Sequence, residues 1–189
     1  MKPLDRLLQA WRIRMALPHI RSGDRLLDIG CLDRRLIDRA LARVEHAVGI
    51  DPAIEPLQSD RFELQSGRFP GELNAEPERF DCITALAVLE HVDDPEGFAR
   101  ACFALLSPGG RVVLTIPHPA VDLLLDILIR LRLADGMATE QHHGFEPADA
   151  RRHFERVGFT TTVERRFQLG LNRLFVFEKA IAPCPTRAE

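Results

Sequence analysis

What most constrains this chain is an alternation. Short apolar runs that end on an acid, a glycine or a proline take turns with segments whose apolar residues recur at helical spacing. Arg25-Leu-Leu-Asp-Ile-Gly30 is the first run, short and apolar enough for a buried parallel strand. Leu36, Ile37, Ala40, Leu41 and Val44 then follow a helical period, with Asp33 placed to cap that helix. His46-Ala-Val-Gly-Ile-Asp51 is a second strand, closed by Pro52. Together these pieces make a βαβ unit.

The same logic reads the rest of the chain. Phe62–Gln65 is a weaker third strand, residues 67–78 are loop, and Phe80–Leu86 is the fourth strand. Asp94-Pro95 opens a helix, proline being favoured at a first helical position. Its inward stripe is Phe98, Ala101, Cys102, Leu105 and Leu106. Ser107-Pro-Gly-Gly110 is a turn, and Arg111–Ile116 is a fifth strand stopped by Pro117-His-Pro119. Residues 120–133 read as a very apolar helix, 134–146 as irregular, and Pro147–Val157 as a helix ended by Gly158. Two β-runs near 159–167 and 171–179, with Gly170 between them, suit an antiparallel hairpin. Ahead of all this, Leu4 to Ile20 reads as an amphipathic helix that packs on the domain through Leu4, Leu7, Leu8, Trp11 and Met15. Alternation of this kind implies an α/β fold, a parallel sheet with helices on both faces. The expectation is one domain over 1–181, with a flexible tail at 182–189.

Composition excludes several classes. A net charge of −3 gives no basic stripe for a dedicated, stable nucleic-acid binder. Cys31, Cys82, Cys102 and Cys184 form no CxxC pair and no metal or disulfide framework. Arg6, Arg12 and Arg14 break up any signal-peptide core, and no run reaches the roughly 18 apolar residues of a membrane span. The expected compartment is the cytoplasm.

Ligands in such sheets bind beyond the strands' carboxyl ends, at the switch point. Three features converge there. Asp28-Ile-Gly30 ends the first strand, and glycine lets the backbone turn tightly against a ligand. Asp51 ends the second strand about 20 residues later, where a carboxylate can accept from both hydroxyls of a ribose. Ser66-Gly-Arg-Phe69 follows the third strand and offers Phe69 to an adenine ring. In order, on the right elements, they predict a pocket for a nucleoside-containing cofactor.

The succession Leu26-Leu-Asp-Ile-Gly-Cys31, Val48-Gly-Ile-Asp-Pro52, Phe80-Asp-Cys-Ile83, Val88-Leu-Glu-His91 and Leu106-Ser-Pro-Gly-Gly110 resembles class I S-adenosylmethionine-dependent methyltransferases, from about residue 24 to 180. Within them it is similar to the small-molecule, ubiquinone-biosynthesis-like subgroup. The resemblance implies a Rossmann-like, seven-stranded, mostly parallel sheet of order 3-2-1-4-5-7-6, strand seven antiparallel. It implies S-adenosylmethionine as cofactor. Asp28 and Gly30 would border its methionine part, Asp51 its ribose, and Gly67, Arg68 and Phe69 its adenine. Ala85 to Ala87 would line the floor beneath the sulfonium, and Glu90 and His91 would begin the acceptor wall. Leu32 and Arg34 stand where the family usually has glycine, and Arg68 where many members have aspartate.

Methyl transfer from a sulfonium needs alignment and exclusion of water. A base is needed only if the acceptor must lose a proton. Candidates are His118, His142 and His143, of which His118 and His143 are preferred. Residues 117–147 would cap the acceptor site, and the apolar 120–133 stretch suits a buried helix, a dimer interface or a surface for a greasy acceptor. Monomer and homodimer both remain open. No metal is expected, since Glu90, His91, Asp93, His118 and the histidine pair follow no ligand motif. The leading expectation is methyl transfer to oxygen or carbon of a small-molecule acceptor. The alternative is a methyltransferase-like protein that binds a nucleoside or a partner without turnover, motivated by Leu32, Arg34 and Arg68. A nicotinamide enzyme would suit Asp51 but lacks GxGxxG after the first strand.

Overall fold

The computed structural model describes residues 3–117 and 147–181. The stretches read from sequence as a helix at 120–133, as irregular at 134–146 and as a tail at 182–189 lie outside the described residues. So do His118, His142, His143 and Cys184.

The strands are β1 (Arg25–Ile29), β2 (His46–Asp51), β3 (Leu57–Gln58), β4 (Phe62–Ser66), β5 (Phe80–Leu86), β6 (Leu106–Pro117), β7 (Phe159–Phe167) and β8 (Asn172–Lys179). They form one sheet of order β3-β4-β2-β1-β5-β6-β8-β7. The pairs β4–β2, β2–β1, β1–β5 and β5–β6 are parallel, while β8 is antiparallel to both β6 and β7. The expected seven-strand order therefore appears with one correction. An eighth strand, the two-residue β3, pairs antiparallel with β4 at the sheet edge. Both its residues are exposed, so no apolar pattern announces it.

The helices are α1 (Pro3–Ala16), α2 (Arg35–Ala40), α3 (Pro95–Leu105) and α4 (Pro147–Val157). Asp94 caps α3 by accepting from Gly97 N at 2.8 Å, and Pro95 begins it, as its sequence suggests. Lys179 stabilises the other end of α3 by donating Nζ to Phe103 O at 2.9 Å and Leu106 O at 2.6 Å. Two cores flank the sheet. Phe98, Ala99, Cys102, Ala150 and Phe154 of α3 and α4 meet Leu114, Ile116, Phe175 and Phe177 on one face. Ile13, Ala16, Leu36, Ile37 and Ala40 of α1 and α2 meet Val113, Leu174 and Val176 on the other.

Three local readings change. The expected turn at 107–110 lies within β6, whose register against β5 jumps between Phe80 and Cys82. The bulge places Ser107 Oγ on Asp81 Oδ1 at 2.6 Å, so polar bonding at the strand's start replaces the regular ladder. In α1, only the C-terminal third is deeply buried, through Ile13 and Ala16, while Leu7 is 62% exposed and Trp11 42%. Arg34, in left-handed conformation, occupies the N-cap of α2. Asp33, one residue earlier, still accepts from the first helical amide, Arg35 N, at 3.4 Å, and it also accepts from Gln9 of α1 at 2.9 Å and pairs with the Arg35 side chain, tying α1 to the loop after β1.

Candidate functional site

The site is built where β1, β2 and β4 end. Gly30 follows β1 with φ 75°, a backbone conformation that suits glycine. A Cβ there would stand 2.5 Å from Val88 Cγ2, so the position is also sterically closed to larger residues. Its N donates to Ile50 O at 2.9 Å, which carries the β1–β2 ladder into the loop. Leu32 and Arg34 have φ of 26° and 59°. The loop therefore takes left-handed turns at the two positions that lack glycine.

Asp51 is buried and its two oxygens are held apart in function. Oδ2 accepts from Leu32 N at 3.1 Å, and Oδ1 from Ala53 N at 2.8 Å. A carboxylate has about four acceptor positions, so each oxygen keeps capacity for a further donor. The Asp51 carbonyl accepts from Gly67 N at 3.2 Å. One residue thus ties the loops after β1, β2 and β4 together.

Asp28 lies behind this loop, buried in β1, and accepts from Thr84 Oγ1 at 2.7 Å. Burial pushes its carboxyl up to about 7. The Thr84 hydrogen bond opposes that rise, and Asp33 and Asp51 add to it. Ala85 pairs in register with Ile29, and Ala87 N donates to Thr115 O at 2.8 Å, so this segment forms the other flank. Arg68 is exposed, and its N donates to Glu72 Oε2 at 2.6 Å. Phe69 is half-buried, its ring edge-on to Phe98 with centroids 5.0 Å apart. Gln65 clamps the 67–75 loop by bonding Asn74 N at 2.9 Å and Asn74 O at 3.2 Å, as a neighbouring strand would.

Asp28, Gly30, Asp51 and Gly67 are thus joined through direct hydrogen bonds and strand pairing, with Ala85 and Ala87 beside them. Arg68 and Phe69 lie on the outer lip. After β5, Glu90 is buried in the 3-10 turn Leu89–His91, whereas His91 is exposed. Burial pulls the Arg12 guanidinium of α1 down, and the carboxylates of Glu90 and Asp5 oppose that shift. Sequence reasoning missed Thr84, Gln65 and Arg12, and gave Val88 no role beyond opening the Val88-Leu-Glu-His91 motif. Only Thr84 left a trace, as a polar residue inside an apolar strand. Among the described residues, no group of three or more His, Cys, Asp and Glu side chains is arranged to hold a metal.

The fold is an α/β sheet whose strand-end loops meet at the switch point, the place where ligands of such sheets bind. A family model described as a methyltransferase domain matches residues 2–164. The chain belongs to that family, the class I S-adenosylmethionine-dependent methyltransferases. It is 38% identical over 100 residues to a ubiquinone biosynthesis O-methyltransferase of Pseudomonas fluorescens (strain SBW25), a match covering 48% of this chain and 43% of that protein. The Aeromonas salmonicida (strain A449) protein of the same name is 38% identical over 102 residues, covering 49% and 43%. The chain therefore matches less than half the length of these relatives. Among solved structures, an S-adenosylmethionine-dependent methyltransferase from Mesorhizobium loti superposes with TM-score 0.65 at 16% identity, covering 88% of this chain and 95% of that one. The cyclase SpnF superposes with TM-score 0.68 at 12% identity, covering 89% and 80%. These structural likenesses speak for the fold alone. Among the described residues, no helix is long and apolar enough to cross a membrane.

Proposed function

We propose that this chain binds S-adenosylmethionine at the ends of β1, β2 and β4 and transfers its methyl group to oxygen or carbon of a small-molecule acceptor. The observation that carries this reading is the joining of three loops at Asp51, with carboxylate capacity left over. The residues present fit the cofactor. Gly30 is exposed at a point where no Cβ fits, which leaves bare backbone for a ligand. Asp51 would accept from the ribose hydroxyls. Gly67, Arg68 and Phe69 would border the adenine, with backbone groups taking the place of an acceptor that Arg68 lacks. Asp28, oriented by Thr84, would face the cationic methionine end, with Ala85 and Ala87 beneath the sulfonium.

Bound there, the cofactor supplies an electrophilic methyl group. The protein's share is to orient donor and acceptor and to exclude water. His118, which directly follows β6 in sequence, and His143 are the proposed bases for an acceptor that must lose a proton. The relatives' name makes an O-methyl acceptor the first class to try. The test is turnover of the full chain with S-adenosylmethionine across hydroxyl-bearing aromatic acceptors, followed by mass spectrometry. A methylated product whose formation falls at least tenfold in His118→Ala or His143→Ala supports the reading and the base. Product formation unchanged in both variants removes the histidines and leaves the transfer. A protein that binds cofactor but methylates none of these acceptors overturns the small-molecule assignment.

A further inference from the structure

The ends of β6 and β8 carry buried polar atoms that the fold leaves open. Thr115 is wholly buried, and its Oγ1 has no hydrogen-bond partner among the described residues. Asn172 is 5% exposed, and its Oδ1 is likewise unpaired there. Both side chains lie on the sheet face that α1 covers. Thr115 follows Val113 in the alternation along β6, and Asn172 precedes Leu174 and Val176 along β8. The ladder pairs Thr115 with Leu174 and Pro117 with Asn172. Thr115 and Asn172 are therefore diagonal neighbours, roughly 7–8 Å apart along the backbone and within joint reach of one substituent.

A relay fixes which way Asn172 faces. The Leu8 carbonyl of α1 can only accept, so Gln168 presents Nε2 to it at 2.9 Å. Gln168 Oε1 then accepts from Asn172 Nδ2 at 2.5 Å. Asn172 is left with Oδ1, which can only accept. Thr115 offers a hydroxyl, which can donate. Buried polar atoms without partners are costly, and two on adjacent strands call for an occupant. The Thr115 carbonyl also accepts from Ala87 N, so the pair adjoins the segment proposed to lie under the sulfonium.

We propose that Thr115 and Asn172 together bind a hydroxyl group of the methyl acceptor. The hydroxyl accepts from Thr115 Oγ1 and donates to Asn172 Oδ1. The inference rests on the methyl-transfer reading above and narrows it. The acceptor carries a neutral hydroxyl, because an ether oxygen has no proton to give Asn172. Its point of entry lies between α1 and the strand ends, since α1 covers the pair.

Phenol and anisole test this, titrated by nuclear magnetic resonance into the full chain saturated with S-adenosylhomocysteine. Phenol is expected to bind at least tenfold more tightly than anisole. Thr115→Val and Asn172→Leu are each expected to weaken phenol about tenfold and to leave S-adenosylhomocysteine affinity unchanged. Thr115→Val is also expected to melt a few degrees higher, because it removes an unpaired buried hydroxyl. If Asn172→Leu fails to fold, Thr115→Val decides alone. With S-adenosylhomocysteine bound normally, three results each overturn the hydroxyl site while the methyl-transfer reading stands: no phenol binding, equal binding of phenol and anisole, or phenol affinity unchanged in Thr115→Val. Failure of S-adenosylhomocysteine to bind removes both.

Discussion

Replacing Leu32 separately with glycine and with alanine tests whether the fold, rather than the residue, sets the loop after β1. Leu32 has φ 26° while its N holds Asp51 at 3.1 Å. A residue with a Cβ pays about 1–2 kcal/mol for left-handed backbone. Glycine escapes that cost but loses about 0.4–1 kcal/mol through the greater freedom of its unfolded chain. Both variants give up the same side chain beyond Cβ, itself 39% exposed. The difference between them is therefore about 0–1.6 kcal/mol in favour of glycine, centred on about 0.8 kcal/mol. At ordinary extended or helical positions the order is reversed. In a chain of this length the glycine variant should melt roughly 1–4 °C above the alanine variant. Calorimetry on the two proteins under identical conditions reads this directly. An alanine variant that melts higher would refute left-handed strain at this position. It would also remove the argument that the glycine-rich loop's shape survives here without its glycines.

Other predictions follow from buried charge. Burial pushes the Asp28 carboxyl up to about 7, above its ordinary value of 3.8. A cationic ligand end favours the ionised form, so cofactor affinity should rise about tenfold per pH unit up to about 7 and then level off. Titration calorimetry from pH 5.5 to 8 checks this, and pH-independent affinity contradicts it. The same raised value makes the protonated native form the favoured one, so stability from this group is lost as pH rises from about 4 through 7. Asp28→Asn should accordingly melt above the parent at pH 8 and lose that advantage near pH 4. Arg111 and Asp24 form a buried ion pair, and Arg111 Nε also donates to His19 O at 2.5 Å. Arg111→Met leaves Asp24 buried without its partner and should cost about 3–5 kcal/mol in denaturant unfolding. A loss below about 1 kcal/mol would show that water replaces the guanidinium.

Much of the frame was legible because strand ends in a parallel sheet are marked by chemistry. Asp28, Gly30 and Asp51 stand where apolar runs stop, and the structure joins their loops as the order of motifs implies. Where side chains point within an apolar segment was less legible. The spacing of Leu4, Leu7, Leu8, Trp11 and Met15 marks α1 as a helix, yet its buried anchors are Ile13 and Ala16, with Ile20 just beyond it. Helical period alone does not choose between two apolar stripes. Thr115 and Asn172 sit among strand residues that look like ordinary core, and only the antiparallel β6–β8 register makes them neighbours. The left-handed turns at Leu32 and Arg34 leave no mark in residue type, since neither residue favours them. They are imposed by the ladder on one side and by Asp51 on the other.

The central claim is a cofactor site organised by Asp51, and isothermal titration of the full chain with S-adenosylhomocysteine and S-adenosylmethionine tests it most directly. The account predicts micromolar binding of both, weakened at least tenfold in an Asp51→Ala variant that circular dichroism shows to be folded. Absence of binding in the folded parent protein, or binding indifferent to Asp51, would contradict it.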